Sequence, residues 1–187
     1  MNQDIKKALE VLRSGGIILY PTDTVWGIGC DAENEEAVKR IYEIKERDSS
    51  KSMLALIDNA GRLEMYVDEI PDLAWELMEE TEKPLTIIYS KPKKLAKNLL
   101  ADDGSIGIRM VNELFCNRLI ARFQGPIVST SANLSGKASP QNFMEISKKI
   151  IDAVDYVVEY RQDDRSEVKA SSIIKLSEGG LFKIIRE

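Results

Sequence analysis

Histidine does not occur anywhere in the 187 residues. Its absence removes the Ser-His-Asp and Cys-His nucleophiles, the HExxH zinc site, and the one side chain whose ordinary pKa lies near neutrality. Cysteine is nearly as scarce. Cys30 and Cys116 are too few for a structural zinc site and have no CxxC spacing. Small buried thiols are the ordinary reading of both, with a thiol mechanism at Cys30 left open. No apolar run approaches the roughly 20 residues of a membrane span. Met1 to Lys7 is mostly polar, and Ile17 to Tyr20 is only a strand long. No secretory leader is therefore expected, and a reducing, cytoplasmic setting is. Without a side chain of ordinary pKa near neutrality, any catalysis is expected to rest mainly on positioning and electrostatics.

What is present is the composition of a folded protein: 43% apolar, 30% charged, with 11 glycines and 6 prolines. At roughly 150 residues per domain the length predicts one domain, spanning 1–187. Lys plus Arg number 26 against 31 Asp plus Glu, a net charge of −5. Bulk attraction to polyanions is disfavoured, so any phosphate recognition must be local.

Periodicity predicts alternating helices and strands. Asp4 can cap a helix with Ile5, Ala8, Leu9 and Leu12 on one face, stopped by Gly15-Gly16. A strand at 17–20 follows, then a polar, glycine-containing loop over 21–32, and a helix capped by Asn34 with Ala37, Ile41 and Ile44 inward. Further strands are expected at 53–57, 85–89, 106–110, 127–129, 156–160, 172–176 and 181–185, the last two joined by a Glu178-Gly179-Gly180 turn. Two short helices split by Pro71, one capped by Asn112 running to Phe123, and one near 141–151 complete the set. Helices and strands mixed throughout argue a single α/β domain with a twisted, mixed parallel and antiparallel sheet and flanking helices.

Four segments could carry chemistry. Tyr20-Pro-Thr-Asp-Thr-Val-Trp-Gly-Ile-Gly-Cys-Asp-Ala32 places hydroxyls, carboxylates and two glycines at a strand end, where α/β sheets bind ligands. Its GxGxxA match starts six residues too late for a dinucleotide turn. Lys45-Glu-Arg-Asp-Ser-Ser-Lys51 puts three cations at a helix C-terminus, either a solvated complement to the helix dipole or a triphosphate holder. No GxxxxGK[ST] occurs, which excludes a Walker-type site. Ser105 to Arg109 sets a guanidinium near a strand end, equally compatible with an exposed Arg and a carboxylate receptor. In the loop Pro126 to Gly136, six of the eight residues from Ser129 onward are Ser, Thr, Asn or Gly. Hydroxyls and open backbone N–H groups at that density suit a nucleotide or amino acid, or merely cap the next helix. Four lysines between Lys91 and Lys97, without interleaved aromatics, read as solvated surface with RNA contact a minor alternative.

Taken in order, Tyr20 to Ala32, Lys45/Arg47/Lys51, Leu85-Thr86, Ser105 to Arg109 and Pro126 to Gly136 resemble the YrdC-type threonylcarbamoyl-AMP synthase family over nearly the whole chain. PTDTVWG and STSANLSG in one chain are far more specific than either alone. The resemblance implies that L-threonine and bicarbonate form a carbamate that attacks the α-phosphate of ATP, with Mg²⁺ on the phosphates, giving threonylcarbamoyl-AMP and pyrophosphate. A downstream transferase would then use the product to modify tRNA. It further implies that Thr24, Arg109, Ser129 and Ser172 hold threonine. Lys45 and Arg47 would act in catalysis at the triphosphate with Lys51, and Ser105, Ser131, Asn133, Ser139 and Arg186 would complete the ATP site. The chain departs from the family pattern at Trp26, Asp48, Glu82-Lys83-Pro84 and Ala170-Ser171-Ser172, which bears on loop geometry more than on the cations and hydroxyls.

Two other classes compete: a non-catalytic RNA-binding module, disfavoured by the net charge, and a carbamoyl-transfer domain of the hydrogenase-maturation type. The latter resembles the chain over the same motifs but carries additional zinc-binding and acylphosphatase-like regions.

Overall fold

The computed structural model describes residues 1–49, 51–166, 168–176 and 182–187. In chain order the elements are α1 (Asn2–Arg13), β1 (Ile18–Tyr20), β2 (Gly27–Gly29), α2 (Glu35–Lys45), β3 (Leu54–Ile57), α3 (Asp72–Glu80), β4 (Leu85–Tyr89), β5 (Ile106–Met110), α4 (Leu114–Phe123), β6 (Ile127–Ser131), α5 (Lys148–Ala153), β7 (Tyr156–Val157), β8 (Ser172–Leu176) and β9 (Phe182–Arg186). The strands form one sheet of order β7-β1-β2-β6-β3-β5-β4-β8-β9. β1 with β7, β3 with β5 and β4 with β8 pair parallel; the other neighbours are antiparallel. The mixed α/β sheet expected from the sequence is present.

Alternation along the strands decides where a ligand can sit, because successive side chains point to opposite faces. Ile28, Ala55, Ile57, Ile87, Ile106, Ile108, Val128 and Ile174 lie on one face and form a continuous core with Ala37, Val38 and Ile41 of α2 and Ile150 of α5. The opposite face is only partly covered. Ile18, Tyr20, Leu56 and Ile127 pack beneath Ile5, Leu9 and Leu12 of α1 and Phe115, Leu119 and Ile120 of α4. Beyond the reach of those two helices the same face continues as Ser129, Leu54, Gly107, Arg109, Thr86 and Ile173, and there a cavity opens.

Several local expectations give way to tertiary contacts. Helix α1 begins ahead of Asp4, whose buried carboxylate instead accepts from the Tyr156 hydroxyl and the Glu159 amide, both at 2.8 Å. The stretch 21–32 is not all loop. Gly27–Gly29 forms β2 against β1, and its glycines reflect crowding, since a Cβ on Gly29 would meet the Val128 carbonyl at 2.3 Å. Glu113 rather than Asn112 caps α4, accepting from the Cys116 amide. The helix expected near 141–151 divides into a 3-10 turn at Phe143–Glu145 and α5, with Ile146 extended between them. The Glu178-Gly179-Gly180 turn lies outside the described residues. Asn34 caps α2 as expected, accepting from the Ala37 amide at 3.0 Å. Both cysteines are buried and free, with burial pushing each thiol pKa upward.

Candidate active site

The cavity measures about 290 Å³ and draws its wall from segments far apart in sequence, including Thr24, Arg47, Arg109, Ser129, Ser131, Ser171 and Arg186. Among the described residues its lining holds three guanidinium groups and no carboxylate. An acidic protein thus keeps one locally cationic recess, as the net charge requires of any phosphate site.

Arg109 is the most constrained of the three. It is 3% exposed, in the middle of the sheet. Asp23 Oδ1 stands 3.0 Å from Nη2, Nη1 donates to Thr24 Oγ1 at 3.1 Å, and the buried Nε has no partner. The Pro-Thr-Asp-Thr turn is itself locked. Thr22 Oγ1 receives the Thr24 amide at 3.0 Å and donates to the Val25 carbonyl at 2.8 Å, while Arg161 donates to the Thr22 carbonyl at 3.2 Å. A buried guanidinium with spare donor capacity, flanked by the buried hydroxyls of Thr24 and Ser129, is suited to a small carboxylate.

Arg47 and Arg186 are held differently. Arg47 follows the left-handed cap Glu46 at the end of α2, and donates from Nε and Nη2 to the carbonyls of Lys51 and Ser52, each at 3.0 Å. Arg186, on β9, donates from Nε and Nη2 to the Ser171 carbonyl at 2.9 and 2.7 Å. Burial and the nearby Arg109 charge hold its pKa below the usual arginine value. Neither guanidinium is neutralised in these contacts, which leaves two charges for an anionic group entering the recess.

Of the residues singled out from the sequence, Thr24, Arg47, Arg109, Ser129, Ser131, Ser139 and Arg186 meet around this cavity. Five do not. Lys45 is 1% exposed, and its Nζ donates inward to the main-chain carbonyls of Ser131 and Asn133. Lys51 is exposed, contributing its carbonyl as the acceptor for Arg47. Ser105 turns to Asp103 at the start of β5. Asn133 donates to the Leu134 and Lys137 carbonyls, holding its own loop. Ser172 lies on the opposite face of β8, beside Leu85, Ile174 and Phe182. It is Ser171, buried and 2.9 Å from Thr86 Oγ1, that faces the cavity. Strand alternation carried the signal: if Ile174 and Leu176 point into the core, then 171 and 173 point away from it. Asp23 was missed as the partner of Arg109, because nothing in sequence joins residues 23 and 109.

The Sua5/YciO/YrdC family model, described as telomere recombination, matches residues 10–187. The chain belongs to the Sua5/YciO/YrdC family. A Pseudoalteromonas translucida member named threonylcarbamoyl-AMP synthase is 35% identical over 158 residues, 83% of this chain and 84% of that protein. Among solved structures of the family, P. abyssi Sua5 complexed with L-threonine is 28% identical with a TM-score of 0.86 over 97% of this chain. This chain spans about half of that longer Sua5, 53% of its length. Escherichia coli YciO is 25% identical with a TM-score of 0.86, covering 100% of this chain and 90% of that one.

Proposed function

We propose that this family member is an L-threonylcarbamoyladenylate synthase, making threonylcarbamoyl-AMP and pyrophosphate from L-threonine, bicarbonate and ATP. The observation that carries the reading is the recess itself: a buried Arg109 with an unpartnered Nε, flanked by hydroxyls, opening toward Arg47 and Arg186 with no carboxylate among the described residues of the lining. A carboxylate receptor beside a cationic wall suits an amino acid next to a polyphosphate. The names of the related synthases and the threonine complex of a homologous fold support the same assignment.

In this reading Arg109 pairs with the threonine carboxylate, and the Thr24 and Ser129 hydroxyls bond its polar groups. Once threonine carries the carbamate, one carbamate oxygen forms a bond to the α-phosphorus while the bond to the bridging oxygen of the β-phosphate breaks and pyrophosphate leaves. Arg47 and Arg186 offset the charge of the phosphates and of the departing group. Two anions must be held together here, a task for fixed cations and alignment, and the lack of histidine is no handicap to it.

Magnesium fits as part of the nucleotide. Among the described residues no carboxylate lines the recess, and no group of three or more His, Cys, Asp or Glu side chains converges. Phosphate oxygens and water would supply its ligands, with the hydroxyls of Ser131 and Ser139 nearby, and it would neutralise phosphate charge.

The product fits a downstream tRNA threonylcarbamoyl transferase, and a tRNA-modifying role places the protein in the cytoplasm. The RNA-binding alternative draws little support from the lysine cluster, where Lys91 stands 2.6 Å from Glu69 and Lys93 2.8 Å from Asp68. The test is pyrophosphate release from ATP with Mg²⁺ and bicarbonate, with and without L-threonine, serine serving as the specificity control. Threonine-dependent release with an AMP-linked product is expected. Equal release without threonine would sink the assignment.

A further inference from the structure

Lys45 raises a problem the synthase reading leaves unsolved. It is the last residue of α2 and among the largest fully buried side chains of the chain. A buried ammonium normally has a carboxylate partner, because desolvation of a bare charge is costly. Here the acceptors found are main-chain carbonyls, Ser131 and, at 2.6 Å, Asn133. The tie runs both ways, since the Ser135 amide donates back to the Lys45 carbonyl at 2.8 Å. The 131–135 loop is thereby fastened to the end of α2 at three points. Its other bonds are local or lead to the first loop: Ala132 donates to the Trp26 carbonyl at 2.9 Å, and Asn133 bonds within the loop.

The position of this clamp connects two walls of the recess. Ser131 lines it from the fastened loop, and Arg47 lines it from the chain two residues after Lys45. Between them Glu46 adopts φ 49°, ψ 43°, turning the chain so that Lys45 points into the protein and Arg47 toward the cavity. One Lys-Glu-Arg unit therefore divides its labour, with one cation inward and one outward.

We propose that Lys45 is a positioning residue rather than a phosphate ligand: its ammonium clamps the 131–135 loop to α2, fixing Ser131 relative to Arg47 across the nucleotide recess. Burial and the neighbouring Arg47 charge push its pKa down to about 7, and among the described residues the acceptors given for its Nζ are these two carbonyls. The clamp acts on ATP binding and leaves the chemical step to the groups lining the cavity.

The structural half of the proposal stands by itself, and the kinetic half rests on the synthase reading. Lys45→Met keeps the apolar stem and removes the donors. Amide hydrogen exchange of Ala132 and Ser135 in the substrate-free variant should accelerate at least tenfold over wild type. In steady state KM for ATP should rise at least tenfold while kcat at saturating ATP stays within about threefold, the pattern of lost uniform binding. A fall in kcat of thirtyfold or more with loop exchange unchanged would mean that the ammonium touches the reacting phosphates, and would overturn the proposal. Unchanged exchange together with unchanged kinetics would overturn it too. Should Lys45→Met not fold, Ser135→Pro removes the returning amide; it should raise KM for ATP about threefold, and an unaltered KM would count against the clamp. Because the exchange comparison uses no substrate, it decides the clamp even if the wild type releases no pyrophosphate, a result that would remove only the synthase reading.

Discussion

Arg109 and Arg47 line the same recess but are held in opposite ways. Arg109 projects from a central strand, 3% exposed, fixed by a carboxylate and a hydroxyl that are themselves fixed. Arg47 stands partly exposed on a loop after a helix and rests on two carbonyls from the next few residues. A small rigid substrate part needs one buried receptor set in advance, whereas a long flexible polyphosphate can be met by cations that adjust. The first arrangement ties function to stability and the second separates them.

Arg109→Ala should break that comparison most visibly. In the proposed synthase reading, loss of the Arg109 guanidinium should lower kcat/KM for threonine by on the order of a thousandfold, measured by pyrophosphate release. Leaving Asp23 without its partner should also cost about 3–5 kcal/mol, so thermal unfolding should begin on the order of 10 °C earlier. Arg47→Ala should separate the two effects. Removing a charged donor worth about 1.5–3 kcal/mol should reduce kcat/KM for ATP by roughly 10- to 150-fold, while the melting temperature moves by no more than about 2 °C. Retained turnover would place Arg47 outside the site.

Lys45 sharpens the comparison from beneath. Its pKa is depressed from 10.5 to about 7, so the unfolded chain holds the extra proton between those values. The cost of burying the charge is fully present below about pH 7 and is relieved as pH rises toward 10.5. The unfolding free energy of wild type minus that of Lys45→Met should therefore increase across that window; a flat difference in denaturant titrations would contradict the depressed pKa. The smallest expected effect separates neighbouring hydroxyls. Ser171→Ala removes the partner of Thr86 at the recess and should lower kcat/KM about fivefold, whereas Ser172→Ala on the opposite face should change it less than twofold.

Those two serines also show where sequence reasoning reached its limit. Strand identity in β8 and the inward direction of Ile174 and Leu176 were legible from period-two alternation, yet the hydroxyl was assigned one position off. In a strand, one position is the difference between two faces of the sheet. Helix α2 and its Asn34 cap were legible because capping is local. Asp4 misled for the complementary reason: its partners, Tyr156 and Glu159, lie more than 150 residues away, 152 and 155 in sequence separation. Of the cations and hydroxyls picked out by motif, Thr24, Arg47, Arg109, Ser129, Ser131, Ser139 and Arg186 line the recess, whereas Lys45, Lys51, Ser105, Asn133 and Ser172 do not. Motif reading could not sort Arg47 from Lys45, because a spacing of two gives both charge and proximity but not the left-handed turn at Glu46 that sends them in different directions.

The contact between Thr24 and Arg109 spans 85 residues. Arg109 stands on β5 beside β3, and β6, which carries Ser129, lies between β2 and β3, so Thr24, Arg109 and Ser129 meet only in the assembled sheet. Loops of that length are slow to close. Contacts of such separation are expected to form late, so in the proposed reading recovery of threonine binding during refolding should lag behind recovery of helical signal.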